Sequence, residues 1–330
     1  MYREFYNLTC NPFELSPDPF FFFPTQRHNE ALALLNYGVL RRKGFVVVTG
    51  EVGTGKTLLV RCLLDSLTRQ KVAFAYIYNP LLTVQNFLEQ VLADLGLSEA
   101  TRSKNDALTR LNNYLLTRSR DGLTTALIID EAQLLSWELL EEIRLLTNLE
   151  TTQHKLLQIV LAGQPELDRK LDSHQLRQLK QRVGLRCNLL PLELREVAGY
   201  IQRRLELAGA KDTAKAIFSK ESVETIFLFS RGVPRLVNTL CENSLMLGFG
   251  LQQKQITGAI VREVAADFRL EAPAASPRNG NSNNAPAVIP EHGDHGPTMG
   301  LKLLHRKAKD DVTLSSANLQ KSFYPGEKSE

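Results

Sequence analysis

Cysteine is scarce in this sequence, and the few cysteines are far apart. The four of them form no C-x-x-C pair in 330 residues. Secreted domains held by disulfides and structural zinc sites need denser or paired cysteines. The pattern therefore argues against both classes and is typical of reduced thiols in a cytoplasm. The four are Cys10, Cys62, Cys187 and Cys241.

Long apolar runs are also missing. No stretch reaches the ~18 to 20 apolar residues of a membrane-spanning helix, and the N-terminal residues lack the apolar region of a signal peptide. We expect a cytoplasmic protein with no transmembrane segment, which reaches the inner face of the membrane only through a partner.

A strong net charge is absent as well. The 40 Lys and Arg residues against 36 Asp and Glu residues leave a net charge of +4. The electrostatic field of so small a net charge does not indicate nucleic-acid binding, although it is compatible with a basic surface on one face of the protein. The length and the 43% hydrophobic content suit two domains with a sizeable core.

The sequence does contain a glycine-rich loop between a predicted strand and a predicted helix. Residues 44–49 are apolar and β-branched, Gly50–Thr57 fits G-x-x-x-x-G-K-[ST], and residues 55–69 have apolar residues at helical spacing. Loop amides, a helix dipole and a lysine ammonium suit a phosphate chain. The alternative, a chance match in a turn, is disfavoured by the flanking elements. The predicted nucleotide-binding residues are Gly50, Glu51, Val52, Gly53, Thr54, Gly55, Lys56, Thr57 and Leu58.

Two carboxylates follow another apolar run. Residues 125–129 predict a buried strand that ends at Asp130 and Glu131. Because sites in parallel sheets lie at the carboxyl ends of the strands, these acids are expected beside the glycine-rich loop. Asp130 and Thr57 are predicted to hold Mg²⁺, and Glu131 is predicted to polarise the water that attacks the γ-phosphate of ATP. Two acids that merely end a strand are the alternative.

Polar residues in two later segments are predicted to reach the same site. Gln164 ends the apolar run 156–164, where it can contact the γ-phosphate or its water. Arg235 stands just inside a helix that begins at Pro234, and it can point across a domain seam toward the nucleotide.

The remaining pattern predicts the fold class. Strands are expected at 44–49, 72–78, 125–131 and 156–164, with a shorter fifth strand just after Arg182, within 182–191. Helices between them predict an α/β fold, a five-stranded parallel sheet with helices on both faces, over 25–191. No strand is predicted after residue 192, so 192–270 is expected to be a small all-helical lid domain.

Both ends of the chain depart from this pattern. Residues 1–24 are rich in aromatics and prolines, which predict an irregular, non-helical strap packed on the ATPase. The region 11–13 in this strap is a hypothetical adenine contact. Residues 271–330 are rich in Ala, Pro, Asn, Gly and Ser and are predicted to be a disordered tail.

Taken together, these motifs resemble one family over about residues 1–268. Gly50–Thr57, Ile128–Glu131, Leu161–Leu167 and Gly232–Arg235 are similar to the AAA+ ATPases of the general secretion pathway protein A type, also called ExeA-like. The resemblance implies the P-loop NTPase fold with a lid. It also implies roles for particular residues: Lys56 and Thr57 as Walker A, Asp130 and Glu131 as Walker B, Gln164 as sensor 1, Arg235 as sensor 2, and Arg182 as arginine finger with Arg186 as the runner-up.

The same resemblance sets the functional expectation. It implies an ATPase with ATP and Mg²⁺ that remodels or energises a secretion, pilus or exopolysaccharide-export assembly. An arginine finger implies a homo-oligomer, either a ring or a head-to-tail dimer. Members of the family commonly continue into a transmembrane helix and a periplasmic region, whereas a tail stands here, so a cytoplasmic motor or switch is expected. Two alternatives stay open: a DNA-binding ATP switch of the transposition-helper type, which is not favoured, and a nucleotide-gated scaffold with negligible turnover.

Overall fold

Five parallel strands form the centre of the structure. The computed structural model describes residues 2–97, 99–210 and 214–271. The strands lie side by side in the order β2-β3-β4-β1-β5, and every neighbouring pair is parallel. The predicted five-stranded parallel sheet is therefore confirmed. The strands are β1 (Phe45–Gly50), β2 (Ala73–Ile77), β3 (Thr125–Ile129), β4 (Leu157–Gly163) and β5 (Leu185–Leu189).

The three central strands are apolar because both of their faces are covered. Every residue of β1, β3 and β4 is buried. Val47 and Ile129 belong to the core on one face, whereas Val46 and Ile128 belong to the core on the other. Alternate residues of a strand point to opposite faces, so a continuous apolar run supplies both cores at once.

Helices cover the two faces unequally. A single-turn helix, α1 (Tyr2–Phe5), begins the chain, and α2 and α3 pack on the face of Val46. The helices α4 to α8 pack on the opposite face of the sheet, the face of Val47. Ser and Thr side chains cap several of these helices by accepting a bond from an amide of the first turn, as at Thr25 and Ser136. The bounds are α2 (Gln26–Leu40), α3 (Lys56–Arg69), α4 (Val84–Asp94), α5 (Lys104–Arg120), α6 (Trp137–Leu146), α7 (Pro165–Leu171) and α8 (Arg177–Lys180).

A helical part follows the sheet and has a core of its own. Its buried residues include Val197, Ile226, Leu240 and Val261. Gly232, with φ of +75°, begins the turn into α12, where a Cβ would lie 1.9 Å from the carbonyl oxygen of Leu192. The turn therefore requires glycine. The helices are α9 (Leu194–Leu207), α10 (Ala214–Ile217), α11 (Lys220–Ser230), α12 (Pro234–Gly250) and α13 (Gly258–Asp267).

The N-terminal strap, residues 2–24, contacts both parts. Tyr6, Leu8 and Phe13 lie within the core of the helical part, and the Phe13 ring meets Phe218 edge-on with centroids 6.1 Å apart. Phe22 packs instead against the core formed by α2 and α3. Because Phe13 is only 1% exposed, its ring has no free face for adenine, and the adenine hypothesis for this ring is wrong.

Two arginines, one from each part, bind carbonyls of this strap. Arg204 of α9 is buried, donates to the Pro12 carbonyl over 2.7 Å, and lies over the ring of Phe21. Arg61 of α3 donates to the carbonyl of Pro17. The strap is thereby bonded both to the helical part and to the helix that follows the glycine-rich loop.

The expectation that proline forbids any helix in the strap is wrong at two places. Helix α1 forms because it precedes the first proline of the strap, Pro12. A 3-10 turn at Pro19–Phe21 begins with its proline, a position where the missing N–H costs nothing, and the Asp18 side chain caps it.

The predicted tail 271–330 lies outside the described residues except for Glu271. Among the described helices, none is long and apolar enough to cross a membrane.

Candidate nucleotide site

The glycine-rich loop joins the end of β1 to the start of α3. Gly53 and Gly55 have φ angles of +81° and +97°, a left-handed conformation that a side chain would strain. Gly55 is the N-cap of α3 and provides no side-chain cap. The first amides of α3 are therefore available to an anionic ligand, and the helix dipole favours one.

Lys56 is buried at the base of this loop. Its side-chain ammonium donates to the carbonyl oxygens of Gly50 at 2.8 Å and Glu51 at 2.9 Å, and the residue is only 6% exposed. Burial lowers the pKa of Lys56, while the nearby carboxylates of Glu131 and Asp130 oppose that shift. The loop carbonyls hold the ammonium in one position, where it can meet a phosphate oxygen.

Asp130 lies directly after β3 and is 2% exposed. One of its carboxylate oxygens, Oδ1, accepts from the amide of Glu131 over 2.9 Å, and the Thr57 side chain hydrogen bonds to the carboxylate as well. Burial raises the pKa of Asp130, whereas these two hydrogen bonds act in the opposite direction. A hydroxyl and a carboxylate held together are the hard oxygen ligands that suit Mg²⁺, so the donor set fits the predicted metal.

Glu131 has an unusual backbone and a held carboxylate. Its φ is +49°, in the left-handed region, and a 3-10 turn over Ala132–Leu134 follows it. The carboxylate oxygen Oε2 accepts from Gln133 Nε2 at 2.6 Å and from Gln164 Nε2 at 3.4 Å. Gln164 stands at the end of β4, between β3 and β1 in the sheet. The structure thus brings Glu131 and Gln164 together beside the loop.

Arg235 reaches the loop from the helical part. Its amide donates to the carbonyl of Gly53 at 3.3 Å, and a Cβ on Gly53 would lie 2.8 Å from the Cβ of Arg235. The side chain is exposed. The start of α12 is therefore seated on the glycine-rich loop, and only a glycine at position 53 allows this close approach.

Arg182 and Arg186 do not lie at the loop of their own chain. Strand β5 pairs its first residue, Leu185, with Val46 near the start of β1, so Arg182 lies at the amino edge of the sheet. Arg186 pairs with Asp168 at 3.4 Å. The loop follows the carboxyl end of β1, at the opposite edge.

Sequence reasoning missed two side chains that support the site. Gln133 contacts Glu131 as described, and its place two residues after Glu131 is a signal that could have indicated it. His28 of α2 had no such signal. Its ring bonds to the Thr54 carbonyl in the loop through Nε2 at 3.2 Å and to the Thr25 hydroxyl through Nδ1 at 2.7 Å.

The His28 ring is expected to be neutral in the folded state. Nε2 faces a carbonyl, which only accepts, so the proton sits on Nε2 and Nδ1 accepts from the Thr25 hydroxyl. Burial lowers the pKa of His28 from its ordinary value of 6.5. The ring thus supports the loop carbonyl of Thr54 as a neutral donor.

This gives a prediction for stability against pH. Below pH 6.5 the unfolded chain binds a proton at His28 that the folded chain does not, so the stability contributed above pH 6.5 is lost as the pH falls. Urea unfolding of the parent and of His28→Gln is measured at about pH 7.5 and about pH 5.5. The free energy of unfolding should decrease more in the parent than in the variant. His174→Gln, which changes an exposed histidine, is the control and should behave as the parent. Equal decreases in the parent and His28→Gln would contradict the assignment.

Known proteins match this chain in sequence. An AAA domain family matches residues 40–171. Over 250 residues the chain is 42% identical to general secretion pathway protein A of Aeromonas hydrophila, a stretch that covers 76% of this chain and 45% of that protein. The chain thus spans less than half the length of this relative.

Solved structures share the fold at lower identity. Cdc6p from Pyrobaculum aerophilum superposes with a TM-score of 0.60 at 20% identity, covering 78% of this chain and 70% of that one. Drosophila ORC bound to DNA gives 0.56 at 19% identity, covering 79% and 66%. Such likeness concerns the fold alone. The sequence matches and the glycine-rich loop identify the chain as an AAA+ P-loop NTPase that resembles the general secretion pathway protein A type.

Proposed function

We propose that this protein hydrolyses ATP to ADP and phosphate at the glycine-rich loop. The observation that carries the proposal is the convergence, at one edge of the sheet, of a buried ammonium, a buried carboxylate bonded to a hydroxyl, and a second carboxylate. These are Lys56, Asp130 with Thr57, and Glu131. A protein that served only as a packing scaffold would gain nothing from burying an ammonium and a carboxylate, because removing charged groups from water costs free energy.

The loop accounts for binding of the triphosphate. The left-handed glycines Gly53 and Gly55 let the backbone approach phosphate oxygens, and the first amides of α3 face them. The Lys56 ammonium neutralises the outer phosphates. Thr57 and Asp130 would hold Mg²⁺, which would supply positive charge against the charge that develops on the outer phosphate oxygens.

Glu131 is assigned the proton-transfer role. Its carboxylate accepts a proton from the attacking water while the bond between the γ-phosphorus and the bridging oxygen breaks, so that phosphate and ADP leave. Gln164, which bonds to the same carboxylate, orients the water or a γ-phosphate oxygen. Arg235 adds a positive charge from the helical part.

Hydrolysis is proposed to move the helical part against the sheet. Arg235 joins the two parts at Gly53, so a change at the phosphate end of the nucleotide reaches α12 directly. We assign this motion to the remodelling of a protein partner in an envelope-export or secretion assembly at the cytoplasmic face of the membrane. The support is the similarity to general secretion pathway protein A over 250 residues.

The ATPase is tested by two variants with different expected defects. Glu131→Gln removes the proton acceptor and should lower kcat about 10²- to 10⁴-fold while ATP still binds. Lys56→Met removes a buried cation and should weaken ATP binding about 10- to 100-fold. Phosphate release and equilibrium binding of ATP with Mg²⁺ are measured on the purified chain. Lys43→Met, an exposed lysine at the other end of β1, is the control.

The outcomes separate an enzyme from a nucleotide-gated scaffold. Turnover in the parent that Glu131→Gln abolishes supports catalysis. ATP binding without turnover in the parent supports the scaffold instead. Parental affinity in Lys56→Met would contradict the assignment of the loop.

Arg182 is proposed as an arginine finger that acts on a neighbouring subunit. Its place at the amino edge of the sheet, away from its own loop, suits a role only in a head-to-tail assembly. Arg186 is the weaker choice because it pairs with Asp168. A homo-oligomer, either a ring or a head-to-tail dimer, follows from this assignment.

Mixing two inactive variants tests the finger. Arg182→Ala and Glu131→Gln should each lose turnover alone. When the two variants are mixed in equal amounts, turnover should recover to about a quarter of the parental value. With random mixing, about a quarter of the head-to-tail interfaces combine an intact Arg182 from one subunit with an intact Glu131 from the next. Turnover is measured after subunit exchange, with Arg186→Ala as the control variant. No recovery would contradict action between subunits.

We propose a DNA-binding ATP switch as the second candidate function, because the amino edge of the sheet carries a basic cleft. This open cleft of about 580 Å³ is lined by Arg41, Arg42, Lys43, His154 and Lys155 together with Glu150. Cations in such a cleft can contact the phosphates of a duplex. One solved structure with this fold is described as bound to DNA.

This candidate predicts salt-dependent DNA binding. The affinity for a short duplex should fall steeply between about 50 and 200 mM salt. Replacing Arg41 and Lys43 with alanine should reduce the slope of log K against log salt by about 2. Lys215→Ala with Lys220→Ala, in the helical part, is the matched control. The absence of duplex binding at low salt would reject this candidate and leave the ATPase proposal intact.

A further inference from the structure

Gln133 is a buried polar side chain that the roles above leave without a function. It is 8% exposed and lies in the 3-10 turn that follows Glu131. Its Nε2 donates to Glu131 Oε2 at 2.6 Å, and its Oε1 accepts from the amide of Gln164 at 3.0 Å. One side chain therefore bridges the ends of β3 and β4.

The orientation of the Gln133 amide group follows from its partners. The backbone N–H of Gln164 can only donate, so it requires the side-chain oxygen. The NH₂ group then faces the Glu131 carboxylate, which accepts. The opposite orientation would oppose two donors on one side and two acceptors on the other.

The surroundings also hold Gln133 in place. The Lys170 ammonium donates to the carbonyls of Gln133 at 2.6 Å and Leu135 at 2.9 Å, which anchors the backbone of the turn to α7. Gly163 leaves room for the side chain, since a Cβ there would lie 3.0 Å from Gln133 Oε1. Backbone and side chain are thus both fixed.

The two carboxylate oxygens of Glu131 differ in their hydrogen-bond partners. The side-chain donors Gln133 and Gln164 both reach Oε2. Oε1 receives no donor from the described part of the chain. The carboxylate is therefore held through one oxygen, and the other is free to accept a proton.

Resting on the proposed ATPase function, we propose that Gln133 is a positioning residue for Glu131. It fixes Oε2 and leaves Oε1 for the attacking water. Through Oε1 of its own side chain it also ties this position to the backbone of Gln164. Gln133 acts through Glu131 and is not itself a catalytic residue.

Gln133→Met tests the role, because methionine has a similar length and no amide. We expect kcat to fall about 10- to 100-fold, as a misplaced catalytic group does. The affinity for ATP with Mg²⁺ should stay within about twofold, because binding uses other groups. The loss should therefore fall on kcat and leave the affinity unchanged, a split that general destabilisation of the fold does not produce.

Gln158→Met is the matched control. Gln158 is a buried glutamine at the opposite end of β4, whose Oε1 accepts from the Gly44 amide at 2.8 Å and whose Nε2 donates to the Lys155 carbonyl at 2.9 Å. Its replacement removes an equivalent pair of hydrogen bonds. We expect a lower unfolding temperature in the control, with kcat at its parental value.

Gln133→Glu is the second variant, and it covers the case in which Gln133→Met does not fold. It keeps an acceptor for the Gln164 amide but sets a carboxylate against Glu131. We expect kcat to fall at least as far as in Gln133→Met, because the two like charges repel and displace the Glu131 carboxylate.

The outcomes of these experiments distinguish a failure of the Gln133 proposal from a failure of the ATPase proposal. Absence of turnover in the parent overturns both. Turnover in the parent with parental kcat in the folded variants overturns the role of Gln133 alone. A rise in kcat also overturns it, because Gln133 would then restrain Glu131 rather than position it.

Discussion

The site depends on keeping an ammonium and a carboxylate charged although both are buried. Burial by itself pushes the pKa of Lys56 down and that of Asp130 up, so it disfavours both charges. Two loop carbonyls around Lys56, the hydrogen bonds to Asp130 and the attraction between the two groups offset this. The rest of the sheet holds the two charges at fixed positions.

The order of the strands decides what lies between these charges. The loop follows β1 and the acids follow β3, but these strands are not neighbours, because β4 separates them. The end of β4 therefore occupies the middle of the site, and Gln164 stands there. The same position lets Gln133 join β3 to β4. Residues from the two segments that follow β3 and β4 thus form one hydrogen-bonded group around the carboxylate of Glu131.

The helical part is joined to this group at two places. Directly, α12 contacts the loop at Gly53. Indirectly, the N-terminal strap is bonded to α9 through Arg204 and to α3 through Arg61. Since α3 begins at the glycine-rich loop, the helical part is connected both to the loop itself and to the helix that follows it. The aromatic rings of the strap also divide between two cores, with Phe13 in the core of the helical part and Phe22 against the core of α2 and α3.

Local chemistry made much of the site predictable from the amino-acid sequence. A glycine-rich loop with Lys56, an apolar strand ending in Asp130 and Glu131, and alternating strands and helices determined the sheet and its functional edge, since short-range sterics and burial decide those features. Only the tertiary structure decided the partners that come from distant segments. His28 reaches the loop from α2, Phe13 enters the core of the helical part, and Gln133 meets the amide of Gln164. These contacts depend on how strands and helices pack, and side-chain contacts between residues 26 to more than 200 positions apart leave no periodic pattern in the chain.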